Sequence, residues 1–337
     1  MNRLEFLKEC AILISVAQSK SKAPKGESAW SIFDPDFTSV LDFANDIFAE
    51  SRSVLNKDFK VPPVDYTWSD NKKLGNVLSN WLVSKCNTQG FDWQIVNHTQ
   101  KTMIECVARN YDKTVWIPAE SYWQQDYLSS YHKDVRVYER YDQITKDSVL
   151  IIDLPTRGSL QIAQDIDELF DLCDKKNVQV TLDLTFLLLS KSYSINVDRE
   201  CIKCINISFS KLWPLVAHGY SIAGYKQGFG PHRDHYNLQK GVCNQLMQLM
   251  NTYPLQSYVE DLENKQTKWC NFLDLEPSDC VLHAVAPEEL RLYWTHKYWN
   301  ANPQLEEKQI CLSTLFENED MIKRYFNIDL SGRFYDI

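Results

Sequence analysis

The sequence predicts an α/β fold, a mixed and mostly parallel sheet between helices, with a smaller C-terminal α+β domain. Three observations carry this. Between residues 94 and 225 short apolar runs alternate with helix-length segments, the pattern of parallel βαβ units. Beyond about residue 230 that alternation gives way to a long helical stretch and then to shorter elements. At 337 residues, 44% hydrophobic and 24% charged, the chain can bury one large core and a second, smaller one, and its composition is not that of a disordered chain.

Residues 1–60 read as an N-terminal arm or small-domain segment, with a Lys/Ser loop at 19–26 and with Pro62 and Pro63 closing the segment. Over 71–85 the residues Leu74, Val77, Leu78, Trp81 and Leu82 recur at helical spacing and give a helix with one buried face. A strand is expected at 94–97, a helix at 102–110, and strands at 114–118, 135–138 and 148–154. A helix at 160–175 follows, then strands at 178–184, 204–208 and 221–225. Residues 61–230 thus form a large domain. Residues 231–337 form a connecting helix reaching Tyr253 and a small C-terminal domain.

The formal net charge of −9 argues against a nucleic-acid or anionic-membrane partner. The apolar stretch at 11–17 follows Glu5, Lys8 and Glu9 and reads as an amphipathic helix rather than a signal peptide. No stretch approaches the roughly 18 apolar residues of a membrane span, so a soluble, cytoplasmic protein is expected. Eight of the ten cysteines stand singly, several within apolar runs, and read as reduced, mostly buried thiols. Cys201 and Cys204 lie in CIKCINIS, which alternates like a strand and lacks partners for zinc. His232 and His235 have metal-compatible spacing, but no carboxylate or cysteine partner accompanies them, and a loop is the better reading.

Two segments carry chemistry: VTLDLTF at 180–186 and SFSKLW at 208–213. Asp183 lies near the end of an apolar strand, and Lys211 follows another strand 28 residues later. In open α/β sheets the carboxyl ends of strands border the ligand crevice, so both groups could face one pocket. A shielded lysine amine can attack an aldehyde, and an aspartate can hold a pyridine nitrogen protonated.

With these pieces in order, residues 66–225 resemble the fold-type I pyridoxal 5'-phosphate (PLP) enzymes, specifically the class I/II aminotransferases. The resemblance implies a seven-stranded-type sheet in the PLP-binding domain and a Schiff base between the cofactor and Lys211. It implies that Asp183 meets the ring nitrogen and that Ser208, with Ser210 nearby, meets the phosphate. The phosphate cup falls on the turn Asn97-His98-Thr99-Gln100-Lys101, where Thr99, Gln100 and Lys101 are the candidates. A helix N-terminus there suits a dianion on physical grounds as well. In IPAESYW, Tyr122 matches the ring-stacking aromatic, with Trp123 the alternative. Tyr66 resembles the tyrosine that reaches a neighbouring subunit's phosphate, which implies a homodimer.

The chain departs from the family at several positions. Phe186 stands where a tyrosine contacts the ring oxygen, and it cannot donate a hydrogen bond. The N-P-T-G asparagine is missing from IIDLPTRGS, which leaves Asp153, Thr156 or Arg157 nearby. The phosphate-binding arginine is absent from LVAHGYSIAGY, where Ser221 is the nearest match. No arginine stands in KQICLS to grip a substrate carboxylate; Arg233, Arg291 and Arg333 are the others available. The resemblance therefore implies an enzyme acting on an amino acid or an atypical amine, most simply an aminotransferase. A PLP-dependent lyase, decarboxylase or cyclase, and a non-catalytic binding protein of the same fold, are the alternatives.

Overall fold

The computed structural model describes residues 71–96, 99–121, 127–156, 159–209, 212–213, 221–229, 238–285, 309–312, 316 and 319. The chain divides into two compact units, Val61–Asp261 and a second made of Met1–Lys60 with Leu262–Ile337.

The first unit is organised by a seven-stranded sheet: β1 Phe91–Val96, β2 Val115–Pro118, β3 Val135–Tyr138, β4 Val149–Asp153, β5 Gln179–Asp183, β6 Ile202–Ser208 and β7 Ser221–Lys226. Their order across the sheet is β1-β7-β6-β5-β4-β2-β3. β3, β2, β4, β5 and β6 run parallel, and β7 is antiparallel to both β6 and β1. The sheet is thus mixed and mostly parallel, as the alternation of elements predicts. β4 is buried along its whole length and β5 along nearly all of it. VLIID is accordingly a near-continuous apolar run, as a strand covered on both faces requires, whereas QVTLD places Thr181 and Asp183 on the side of the helix Thr99–Arg109.

The cover on one face comes from α1 (Asn71–Trp81). Its Gly75 approaches Trp93 of β1 so closely that a Cβ would lie 2.9 Å from the indole Cδ1. Trp93 pairs in register with Gly224 of β7, where a Cβ would also lie 2.9 Å from the ring. The indole is clamped between a helix and a neighbouring strand, and two glycines make the room.

The opposite face is covered by α2 (Thr99–Arg109), whose Met103, Cys106 and Val107 join Val115, Ile117, Val149 and Ile151 in one buried cluster. The helix starts three residues before the expected 102. Its apolar spacing begins only at Met103, and the first turn, Thr-Gln-Lys, is polar. α3 (Ile166–Lys175) buries Leu169, Phe170 and Cys173, and Arg199 bridges its Asp167 and Asp171. The long C-terminal helix ends at Thr252 as α4 (Leu238–Thr252). Pro254 then precedes a second long helix, α5 (Leu255–Leu273), where shorter elements were expected. Proline just ahead of a helix forfeits only an amide that has no helical partner.

In the second unit β8 (His283–Val285) pairs antiparallel with β9 (Gln309–Cys311). The Gln266 side-chain amide donates to the carbonyls of Ser278, Cys280 and His283 at 2.9, 3.0 and 2.6 Å. Eight of the described cysteines, Cys201 and Cys204 among them, are buried and form no disulfide. Among the described residues there is no cluster of three or more metal-ligating side chains. No described helix is long and apolar enough to cross a membrane.

Candidate active site

The sheet's parity places the candidate residues. Thr181 of β5 touches Cys106 of α2, with Oγ1 3.3 Å from Sγ, so Thr181 and Asp183, two residues on, face α2. Thr181 pairs with Cys204 and Asp183 with Asn206, which puts Cys204, Asn206 and Ser208 of β6 on the same face. Ser208 pairs in turn with Ser221 of β7, and Asp153 of β4 pairs with Asp183. Cys204, Ala223 and Tyr225 cluster together, as this parity requires. The result is a row of polar side chains at the C-terminal ends of β4, β5 and β6, bordered by the start of β7 and facing the helix that begins at Thr99.

Asp183 closes β5 and is 8% exposed. Its Oδ1 accepts the Thr185 backbone N–H at 2.9 Å, and the hydroxyls of Thr185 and Thr99 also hydrogen-bond the carboxyl. Burial nevertheless dominates and raises its pKa above the ordinary carboxylate value, with the threonine bonds pulling the other way. Thr185 links two strands, since its hydroxyl also accepts the Ser208 N–H at 3.0 Å. D-L-T is an Asx-turn signature, in which the aspartate binds the backbone two residues on, so Thr185 could have been found from sequence.

Thr99 opens α2, half-buried, and touches Asp183. Gln100 and Lys101 occupy the same first turn. A helix's first-turn N–H groups lack partners within the helix, and this turn follows Val96, the in-register partner of Ser221, by three residues. Ser221 is 1% exposed and its hydroxyl has no hydrogen-bond partner among the described residues. Phe186 follows β5 at the head of the 3₁₀ turn Leu187–Leu189. Asp153, buried at the end of β4, accepts a hydrogen bond from the Ser121 hydroxyl, in the 3₁₀ turn Ala119–Ser121 after β2. Sequence reading placed Asp153 near the site but missed Ser121 and Asn206. Tyr66, Tyr122, Trp123, Ser210 and Lys211 lie outside the described residues.

No protein-family model matches the sequence, and no curated protein does. Solved structures do. The PLP-bound C-S lyase from Staphylococcus hominis superposes with a TM-score of 0.57 at 14% identity, over 83% of this chain and 89% of that one. Cystalysin from Treponema denticola, which contains PLP, gives 0.54 at 12%, over 82% and 87%. A PLP-bound putative aminotransferase from Clostridium difficile gives 0.53 at 14%, over 82% and 87%. At these identities the likeness is one of architecture: the chain has the fold of the fold-type I PLP-dependent enzymes.

Proposed function

We propose that the protein is a PLP-dependent enzyme acting on an amino group, most simply an aminotransferase for an amino acid or an atypical amine. The carrying observation is Asp183. It is a buried carboxyl at a strand end, held by two threonines beside a helix N-terminus, in a chain with this fold. Burial pushes such a carboxyl toward its neutral form, and a protonated ring nitrogen facing it supplies the cation that would restore its charge. The buried hydroxyl of Ser221, without a partner among the described residues, suits a phosphate oxygen. The fit of both ends supports the cofactor.

In this reading Asp183 meets the ring nitrogen, and Thr185 with Thr99 fixes its carboxyl. The α2 turn at Thr99, Gln100 and Lys101 holds the phosphate with Ser208, Ser210 and Ser221. Tyr122, or Trp123, covers the ring, Phe186 borders it without a hydrogen bond, and Tyr66 comes from the second subunit of a homodimer. Bound PLP supplies an electron sink for the bonds at the substrate's amine-bearing carbon. Lys211 would attach the cofactor, and its amine would move the proton at that carbon as general base and acid. Without an arginine in KQICLS the substrate carboxylate lacks the family's anchor, which widens the substrate class to amines.

The likeness to a C-S lyase favours one second reading, elimination from a thioether amino acid. The test is to incubate the PLP-loaded protein with panels of amines, amino acids and thioether amino acids, with and without 2-oxo acids. Transfer of the amino group to the 2-oxo acid supports the transaminase. Release of 2-oxo acid, ammonia and thiol without an acceptor assigns the lyase. Turnover that persists in Lys211→Ala, or turnover of no member of any panel by the loaded protein, refutes the proposal.

A further inference from the structure

One polar side chain in the row facing α2 takes no part in the roles above. Asn206 of β6 is 0% exposed and is the in-register neighbour of Asp183. Its Oδ1 lies 3.9 Å from Sγ of Cys204, two residues back on the same face, while its Nδ2 has no hydrogen-bond partner among the described residues. With the oxygen turned back along the strand toward Cys204, the NH2 group is directed away from it, toward the end of β6 where the candidate site lies. A buried amide left unsatisfied costs about 1–3 kcal/mol, and an apolar residue of the same size would avoid that cost. A polar group kept at such a position needs a partner, and the acceptor in register with it on β5 is the Asp183 carboxyl. Adjacent strands lie about 4.8 Å apart. One water making two hydrogen bonds of about 2.8 Å spans that gap.

We propose that Asn206 is a positioning residue for Asp183, its amide donating to the carboxyl through one ordered water. The inference takes from the proposed function only the importance of Asp183, and the coupling it asserts is present in the cofactor-free protein. The bridge adds a donor from β6 to those that Thr185 and Thr99 supply, so the carboxyl is oriented from both sides of the strand end.

The experiment is a double-mutant cycle on the cofactor-free protein at pH 7, with Asn206→Leu, Asp183→Asn and the two together, read by urea unfolding. Asn206→Leu is expected to lower the folding constant about tenfold more in the parent than when Asp183→Asn is already present. Where Asn206→Leu does not fold, Asn206→Ala completes the cycle. In the PLP-loaded protein Asn206→Leu should displace the absorption maximum in the same direction as Asp183→Asn, and Asn206→Ser, which keeps a donor, should restore it. Effects equal within twofold in both backgrounds overturn the proposal. The amide is then an isolated buried group, and Asn206→Leu raises the folding constant in each. Coupling in a parent that binds no PLP sinks the cofactor reading and leaves this inference standing; bound PLP without coupling does the reverse.

Discussion

Replacing Asp183 by asparagine removes a buried ionisable group at nearly constant size, so its effect isolates the charge. The Asn Oδ1 can keep the Thr185 N–H bond of 2.9 Å, and the hydroxyls of Thr99 and Thr185 can turn to accept from Nδ2. What changes is proton binding. Burial raises the pKa of Asp183 in the folded protein, whereas in the unfolded chain it titrates near 3.9. Its contribution to stability is whole below that unfolded value. It is lost as pH rises through the window up to the folded pKa, by at most about 1.4 kcal/mol per pH unit for one proton. Asp183→Asn has no such loss. Urea unfolding of the cofactor-free protein between pH 4 and 8 should therefore show the variant gaining on the parent as pH rises, then levelling, with unchanged m-values. Added PLP should narrow the gap, because a ring cation pairs with the ionised parent carboxyl and not with the amide. A stability difference that stays flat, or that shrinks as pH rises, would refute the reasoning, since burial would then not govern this carboxyl.

Two further outcomes test the packing that carries the site. Gly224→Ala places a methyl 2.9 Å from the Trp93 ring, which Gly75 confines on its other side, and should cost about 1–3 kcal/mol in urea unfolding. An unchanged midpoint would mean that the indole has room to move. Lys85→Met removes a buried ammonium that donates to the carbonyls of Ser190 at 2.5 Å and Tyr193 at 3.4 Å, leaving acceptors without that donor. A loss of about 1–3 kcal/mol is expected, read by the same unfolding curves, and a gain would contradict this account of the lysine.

The parts of this structure legible in the sequence are those fixed by local patterning. A run such as VLIID announces a doubly covered strand, and an acid ending it lies at the carboxyl edge by construction. The first residue of α2 was displaced by three because its first turn, Thr99, Gln100 and Lys101, is polar and carries no apolar spacing. α5 was obscured by Gln266. It interrupts the apolar stripe at a fully buried position, where three carbonyls engage its amide. The pairings Asp183–Asn206 and Asp153–Ser121 depend on strand register and on turns that close only in the folded chain. Nothing in the spacing of those residues along the sequence declares them.

The central claim, that the chain holds PLP at Lys211, is tested most directly by reducing the PLP-treated protein with borohydride and mapping its peptides by mass. The account predicts a visible absorption band that borohydride abolishes, a pyridoxyl-phosphate mass on the peptide containing Lys211, and neither in Lys211→Ala. No band in the parent, or a label distributed over other lysines and retained in Lys211→Ala, would contradict it.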